Sequence, residues 1–245
     1  MSGEPIPGGA DAVRRLRAAG HRLRFITNNT TRSRAQLADE LRRLGVELED
    51  EELQTTAAAA ARALARKRVL ALTMAAIVPD LEGIEFVAEN ADAVMLGGAD
   101  ETEETGRVFT YMNLARAFQE LEGGAELYCL HKNRWWQTAR GPLLDAGAFV
   151  AGLEYAAGVE ATVLGKPSPA YFEAALESID AEPTLAWMVG DDVETDVVGA
   201  QRFGMRTVLV RTGKFRPDAV EDSGTMPDAI ISSIAQLPDW LEQAH

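Results

Sequence analysis

Short apolar segments alternate with helical segments along much of the chain, and this alternation limits the possible folds more than any other feature of the sequence. After residue 160, apolar runs at 161–164, 185–189, 206–210 and 229–232 are interleaved with segments of helical spacing. Parallel strands need long crossover connections, usually α-helices. The pattern therefore predicts parallel βαβ units in an α/β fold with a doubly wound sheet.

The middle of the chain has a different pattern. Short apolar strands at 69–73, 93–96 and 126–130 are separated by acidic loops and by helical segments near 109–122 and 145–157. We therefore predict a discontinuous core domain of residues 1–67 and 160–245, with an inserted α/β cap domain of residues 68–159.

Charge and composition exclude several classes of protein. The 24 basic and 38 acidic residues give a net charge of −14, which repels phosphate backbones and anionic lipids. We expect neither nucleic acid nor a membrane as a partner. The single cysteine, Cys129, excludes a disulfide framework and a cysteine-based zinc site. The first residues are neither basic nor apolar, so no signal peptide is predicted and we expect a cytoplasmic protein.

Three carboxylates follow the predicted strand at 185–189, namely Asp191, Asp192 and Asp196. Ligands of open α/β sheets bind at the carboxyl ends of strands. Carboxylates at such a place suit Mg²⁺, which takes one or two of them together with substrate phosphate. The alternative is that Asp192 caps the next helix while the other two are solvated. The spacing alone leaves both interpretations open.

Lys166 stands between a predicted strand and a predicted helix that begins at Pro169. The chain has four lysines against twenty arginines, so a lysine that persists is expected to do what arginine cannot. Its ammonium is a compact point charge, whereas guanidinium is a planar fork. A cation beside a helix N-terminus is well placed to hold an anion. The alternative is an exposed lysine in a turn.

A run of hydroxyl and amide side chains, Thr27 and Asn28 among them, follows the apolar strand at 23–26. Such groups can donate hydrogen bonds to phosphate oxygens. The same composition is typical of an ordinary turn. For this segment alone, the turn is the favoured interpretation.

Taken together, the three segments resemble motifs II, III and IV of the haloacid dehalogenase superfamily, subclass IIA, which carries a C2-type cap. The matching phrases are RFITNNTTRSRAQL, LEYAAGVEATVLGKPSPAYFEAAL, MVGDDVETDVVGAQRFGM and VRTGKFRP. The resemblance implies a Mg²⁺-dependent phosphatase that acts on a small phosphoester, phosphoramidate or pyrophosphate through an aspartyl-phosphate. It also implies a possible homodimer through the cap.

The resemblance assigns a role to each residue. Thr27 binds the transferring phosphoryl group, Asn28 adds a donor beside it, and Lys166 neutralises charge. Asp191 is the principal Mg²⁺ ligand, Asp196 orients the waters of the metal and Asp192 supports them. Phosphoryl transfer depends mostly on positioning and charge neutralisation, so this set is chemically sensible.

Motif I of the family is absent from this sequence. The family pattern places a nucleophilic aspartate after an apolar strand, whereas Glu4 and Asp11, the acidic residues before Thr27, follow no such strand. We expect the nucleophile upstream of Met1 and no turnover from the chain as it stands. The alternative is a non-catalytic phospho-ligand-binding relative. In the family, motif I includes the central strand of the sheet, so we expect this N-terminal central strand to be missing from the chain as well. The non-catalytic alternative is less favoured, because a lineage without catalysis would lose Lys166 more easily than that strand. A dehalogenase, which needs no metal, fits the carboxylates poorly.

A second group of candidates lies in the predicted cap. Cations beside adjacent tryptophans could receive an anionic or aromatic leaving group. Alternatively, the tryptophans pack in the interior and the charges are solvated. The segment 211–215 either braces the site or forms a structural turn. The candidate substrate-binding residues of the cap are His131, Lys132, Arg134, Trp135 and Trp136.

Overall fold

The computed structural model describes residues 4–138 and 141–243, which divide into two compact units. Met1 lies outside these residues. Unit 1 comprises the described residues through Ile26, Leu37–Leu53 and those from Lys166 onward. Unit 2 comprises Thr27–Gln36 and Gln54–Gly165.

Within the described residues, the α-helices are α1 (Gly9–Ala18), α2 (Arg34–Arg43), α3 (Thr56–Ala63), α4 (Glu103–Val108), α5 (Tyr111–Glu122), α6 (Gly147–Ala157), α7 (Pro169–Glu177), α8 (Gly199–Arg202), α9 (Pro217–Ser223) and α10 (Leu237–Gln243). The strands are β1 (Phe25–Thr27), β2 (Leu53–Thr55), β3 (Arg68–Leu72), β4 (Glu85–Phe86), β5 (Ala93–Leu96), β6 (Glu126–Cys129), β7 (Trp135–Thr138), β8 (Gly141–Leu144), β9 (Thr162–Val163), β10 (Trp187–Gly190), β11 (Arg206–Val210) and β12 (Ala229–Ile231). A π-helical turn, Val193–Val198, precedes α8, and β1 pairs with β2.

Unit 1 contains a parallel sheet in the order β10-β11-β12, with helices on both faces. Alternation along β11 shows this directly, because successive side chains of a strand point to opposite faces. Val208 and Val210 pack with residues of α1 and α10, whereas Leu209 packs with the π-helical turn and α9. The sheet is thus doubly wound, as the sequence predicts.

Unit 2 contains a second parallel sheet, in the order β4-β3-β5-β6-β9. Its two faces are covered by different helices. Val94 and Leu96 of β5 pack in the same apolar cluster as residues of α5 and α6, whereas Ala93 and Met95 share a cluster with residues of α3. Strands β7 and β8 form a separate antiparallel hairpin. The middle of the chain is therefore an α/β structure in its own right.

The boundaries between the two units differ from the predicted domain boundaries. Strand β9, predicted to belong to the core domain, pairs with β6 in the sheet of unit 2, where Tyr128 lies opposite Thr162. Residues 54–67 also belong to unit 2, because α3 covers one face of that sheet. The domain limits of 1–67, 68–159 and 160–245 stay a prediction. No helix within the described residues is long and apolar enough to cross a membrane.

Candidate active site

The carboxyl ends of β10 and β11 bring two polar segments of unit 1 together. The strands are parallel neighbours, with Gly190 opposite Leu209, so both run out at the same edge of the sheet. Asp191 follows β10 and Lys214 lies on the loop after β11. The backbone N–H of Lys214 donates to Asp191 Oδ2 at 2.7 Å, and its Nζ lies 3.2 Å from Asp192 Oδ2. The segment 211–215 therefore braces the carboxylates.

Asp196 is the centre of this arrangement. The π-helical turn carries its carboxylate back toward the end of β10, where Oδ2 accepts the backbone N–H groups of Asp191 and Asp192, each at 3.2 Å. Oδ1 accepts a hydrogen bond from Lys166 Nζ at 2.7 Å. Asp196 is 3% exposed and Lys166 is 9% exposed, so this is a buried ion pair. The interpretation of Lys166 as an exposed turn residue is wrong.

The electrostatics distinguish Asp191 from its neighbour. Burial raises the pKa of the Asp191 carboxyl above its ordinary value, and the nearby charge of Asp196 raises it further. The hydrogen bond from the N–H of Lys214 lowers this pKa but does not cancel the rise. Burial alone would also raise the pKa of Asp192. There, the positive charge of Lys214 and the N–H of Thr195 outweigh burial and hold the pKa below its ordinary value. Of these two carboxylates, Asp191 is thus the one whose charge is less compensated.

Two glycines make the close packing of these carboxylates possible. A Cβ on Gly190 would lie 2.1 Å from Asp196 Oδ2. A Cβ on Gly213 would lie 1.8 Å from Asp191 Oδ2, and Gly213 also has a φ of +67°, which favours glycine. The site depends on the absence of side chains at both positions.

Asp192 has the structural role considered as an alternative. It caps the π-helical turn, where Oδ1 accepts the N–H groups of Glu194 and Thr195 at 3.2 Å. Asp196, however, is buried rather than solvated. The structural alternative is therefore right for Asp192 and wrong for Asp196, and the magnesium site stays a prediction.

The oxygen atoms of the site differ in how well they suit a hard cation. Within residues 4–138 and 141–243, no group of three His, Cys, Asp or Glu side chains is arranged to hold a metal ion by itself. Both oxygens of Asp196 accept hydrogen bonds from the protein. Asp191 differs from Asp196, because the hydrogen bond that its carboxylate accepts from the N–H of Lys214 is made to one oxygen, Oδ2. One undercompensated carboxylate fits Mg²⁺, which keeps several waters and uses few protein ligands.

Thr27 and Asn28 belong to unit 2, where they begin a tight turn. The N–H of Asn29 donates to Thr27 Oγ1 at 3.0 Å, and Asn29 Oδ1 accepts the N–H of Thr31 at 3.1 Å. Asn28 Oδ1 lies 2.7 Å from where a Cβ on Gly165 would stand. The segment is therefore a turn, as composition predicts, and it lies against the carboxyl end of β9.

The five candidates of the cap do not share one environment. His131 is 3% exposed and lies 3.1 Å from the hydroxyl of Thr30. Lys132 is exposed and pairs with Glu154 at 2.7 Å. Of the remaining three, Arg134 is exposed, whereas Trp135 and Trp136 of β7 are half-buried.

Sequence reasoning gave too little weight to Lys214. The scarcity of lysine that singled out Lys166 applies equally to Lys214, so the signal was present. The burial of His131 beside Thr30 had no signal in the spacing, because the two residues are 101 positions apart.

Comparison with known proteins decides the family. The sequence model described as haloacid dehalogenase-like hydrolase matches residues 1–87, and one described as HAD-hydrolase-like matches residues 163–237. The human phospholysine phosphohistidine inorganic pyrophosphate phosphatase is 37% identical, over 98% of this chain and 88% of its own. The chain belongs to the haloacid dehalogenase-like hydrolase family. Human haloacid dehalogenase-like hydrolase domain-containing protein 2 is also 37% identical, over 97% of this chain and 90% of its own.

Solved structures of this family have the same fold. The p-nitrophenyl phosphatase from Archaeoglobus fulgidus superimposes with a TM-score of 0.87 at 26% identity, over 96% of this chain and 92% of that one. A glycerol phosphate phosphatase from Mycobacterium tuberculosis, in complex with calcium, gives a TM-score of 0.81 at 30% identity, over 97% of this chain and 70% of that one. The predicted haloacid dehalogenase-like α/β fold is confirmed.

Proposed function

We propose that this member of the family is a Mg²⁺-dependent phosphatase that hydrolyses a small phosphoester, phosphoramidate or pyrophosphate. The observation that carries the proposal is the cluster at the carboxyl ends of β10 and β11. There, Asp196 joins the buried cation of Lys166 to the backbone of Asp191. Related chains bear the names of phosphatases for phospholysine, phosphohistidine and pyrophosphate, and for p-nitrophenyl phosphate.

Asp191 is the residue that would hold the metal. Its buried carboxylate has an oxygen donor of the kind that hard cations prefer, and its raised pKa reflects charge that a cation would stabilise. When bound, Mg²⁺ offsets the negative charge of the phosphoryl group. The calcium in the Mycobacterium tuberculosis phosphatase supports a divalent cation in this family.

The other residues of unit 1 have roles that follow from their contacts. Asp196 is a positioning residue, because it fixes both the ammonium of Lys166 and the backbone that carries Asp191. Lys166 supplies positive charge for the phosphoryl group. Asp192 with Lys214 keeps the loop after β11 in place.

Two further sets of residues are proposed from the sequence alone. Thr27 and Asn28 donate hydrogen bonds to the phosphoryl group. The second set contacts the leaving group, and it consists of the predicted cap residues other than the buried His131, namely Lys132, Arg134, Trp135 and Trp136. The homodimer through the cap and the cytoplasmic location also stay proposals.

We further propose that the nucleophile is an aspartate encoded upstream of Met1, which forms an aspartyl-phosphate that water then hydrolyses. Among the described residues before Thr27, Asp11 lies on α1 and pairs with Arg14 at 3.1 Å, and both side chains are more than half exposed. A solvent-facing helical carboxylate of this kind is a poor nucleophile candidate.

The test is Mg²⁺-dependent phosphate release by a form that carries the upstream segment. Asp191→Asn should lower turnover by about 100-fold, because the metal loses its principal ligand, and excess Mg²⁺ should restore little. Asp192→Asn is the matched control. It should cost less than about tenfold, because asparagine also caps a helix well. Unchanged turnover in the Asp191 variant would contradict the assignment.

A further inference from the structure

A group of three buried polar side chains in unit 2 takes no part in the chemistry described above. Thr30, His131 and Asp145 are 2%, 3% and 5% exposed. Thr30 belongs to the turn after β1, His131 follows β6, and Asp145 lies just before α6. Burying polar side chains is costly unless they form hydrogen bonds. Their meeting at one point therefore needs a physical explanation.

The hydrogen bonds assign the proton of the His131 ring. The backbone N–H of Asn133 donates to Nδ1 at 3.3 Å, so Nδ1 is the unprotonated nitrogen of a neutral ring. Nε2 then carries the proton and donates it to Thr30 Oγ1 at 3.1 Å. Asp145 Oδ1 lies 3.7 Å from Nε2, too far for a hydrogen bond, and accepts the N–H of Ala146 at 2.7 Å.

This arrangement excludes Thr30 as a nucleophile activated by His131. A general base must present a free lone pair to the hydroxyl that it activates. The one lone pair of the neutral ring is already engaged by Asn133. Histidine is the donor and threonine the acceptor, so the contact holds Thr30 in place rather than activating it.

Gly98 shows how closely Thr30 is held. It follows β5, and a Cβ on it would lie 1.8 Å from Thr30 Oγ1 and 3.3 Å from His131 Nε2. The hydroxyl of Thr30 is thus enclosed at the carboxyl ends of β5 and β6, which are neighbours in the sheet. Thr27 and Asn28 lie on the same turn, only three and two residues before Thr30.

We propose that His131 is a positioning residue which, through Thr30, holds the turn of residues 27–30 in the conformation that binds a phosphoryl group. The phosphoryl-binding role of Thr27 and Asn28 rests on the proposed function, whereas the hold on the turn does not. His131 therefore acts through Thr30 rather than by touching substrate, in contrast to its predicted place among the substrate-binding residues.

The hold on the turn is tested by hydrogen exchange on the 245-residue chain. Thr30→Val removes the hydroxyl and keeps the shape, and Thr31→Val is the same change on the adjacent residue. Amides of residues 27–32 should exchange about tenfold faster in Thr30→Val, because one hydrogen bond that restrains the turn is lost. Thr30→Ser, which keeps the hydroxyl, and Thr31→Val should stay within about twofold of the unsubstituted chain.

The functional consequence is tested with p-nitrophenyl phosphate and a form that carries the upstream segment. Thr30→Val should raise KM about tenfold and change kcat less than twofold, because uniform binding of the phosphoryl group is weakened. A merely structural role would reduce the amount of active enzyme and lower kcat at constant KM.

Unchanged exchange in Thr30→Val, an equal rise in Thr31→Val, or a fall in kcat alone would each overturn the proposal. Failure of the proposed function is a separate result. In that case, the unsubstituted enzyme releases no phosphate, and the exchange rates alone decide whether the Thr30 hydroxyl, which His131 contacts, holds the turn.

Discussion

Lys166 occupies a position where the shape of the cation matters as much as its charge. Its Nζ meets Asp196 Oδ1 at 2.7 Å in a buried setting, and Asp196 is held from the other side by two backbone N–H groups. A planar guanidinium needs more room than an ammonium and directs its donors in a fixed fork. The carboxylate cannot move to accommodate it without releasing Asp191.

We therefore expect Lys166→Arg to be nearly as damaging as Lys166→Ala. If Lys166 acts as proposed, both should lower kcat/KM for a phosphoester by at least about 100-fold, since alanine removes the cation and arginine displaces it from the phosphoryl group. Steady-state kinetics would measure the loss, and thermal melting would confirm that the variants fold.

Lys67→Arg is the matched control for this prediction. Lys67 pairs with Glu126 in unit 2 and is partly exposed, so either cation should serve there. Near-normal kcat/KM in Lys166→Arg would contradict a role that requires a point charge.

At the scale of single elements, Gly190 ends β10 at a position where the site leaves no room for a side chain. A Cβ there would lie 2.1 Å from Asp196 Oδ2 and 2.5 Å from its Cγ. Because that carboxylate is fixed by Lys166 and by the backbone, it has no free direction in which to move. Gly190→Ala should lower the free energy of unfolding by about 1–3 kcal/mol, as overpacking does in a dense interior.

Gly152→Ala provides the comparison. Gly152 lies within α6 and nothing stands within 4 Å of its Cβ position, so alanine should stabilise the chain by up to about 1 kcal/mol. Urea unfolding of both variants measures the difference. Equal midpoints for the two would show that Asp196 is not held as the structure has it.

Elements with a strong periodic pattern were predictable and those shaped by tertiary contacts were not. Helix α5 lies within the helical segment predicted near 109–122, and α7 begins at Pro169 as predicted. The Ser33-x-x-Gln36 sequence before α2 forms a capping box, with hydrogen bonds of 2.9 and 3.2 Å between the two residues. Ser168, at the N-cap position of α7, makes no such side-chain bond. The π-helical turn had no signature in the sequence, because the carboxylate of Asp196 and its partners shape it.

At the scale of the whole chain, the alternation of strands and helices predicted the α/β class but not which sheet each strand joins. Strand β9 has only two residues, Thr162 and Val163, and the sequence of so short a segment does not indicate which strand it pairs with. Its pairing with β6 is a long-range contact. Likewise, the motif order predicted Lys166 and Asp191 as site residues, but their hydrogen-bond partners depend on how distant segments meet.

The central proposal is that this chain has the site of a metal-dependent phosphatase, with an aspartate encoded upstream of Met1 as its nucleophile. The most direct test compares hydrolysis of p-nitrophenyl phosphate by the 245-residue chain and by a form extended upstream by about 10–20 residues, enough for one strand and its turn. We predict Mg²⁺-dependent turnover by the extended form and none by the 245-residue chain. Turnover by the pure 245-residue chain would place the nucleophile within it, and an inactive extended form would contradict the proposed phosphatase.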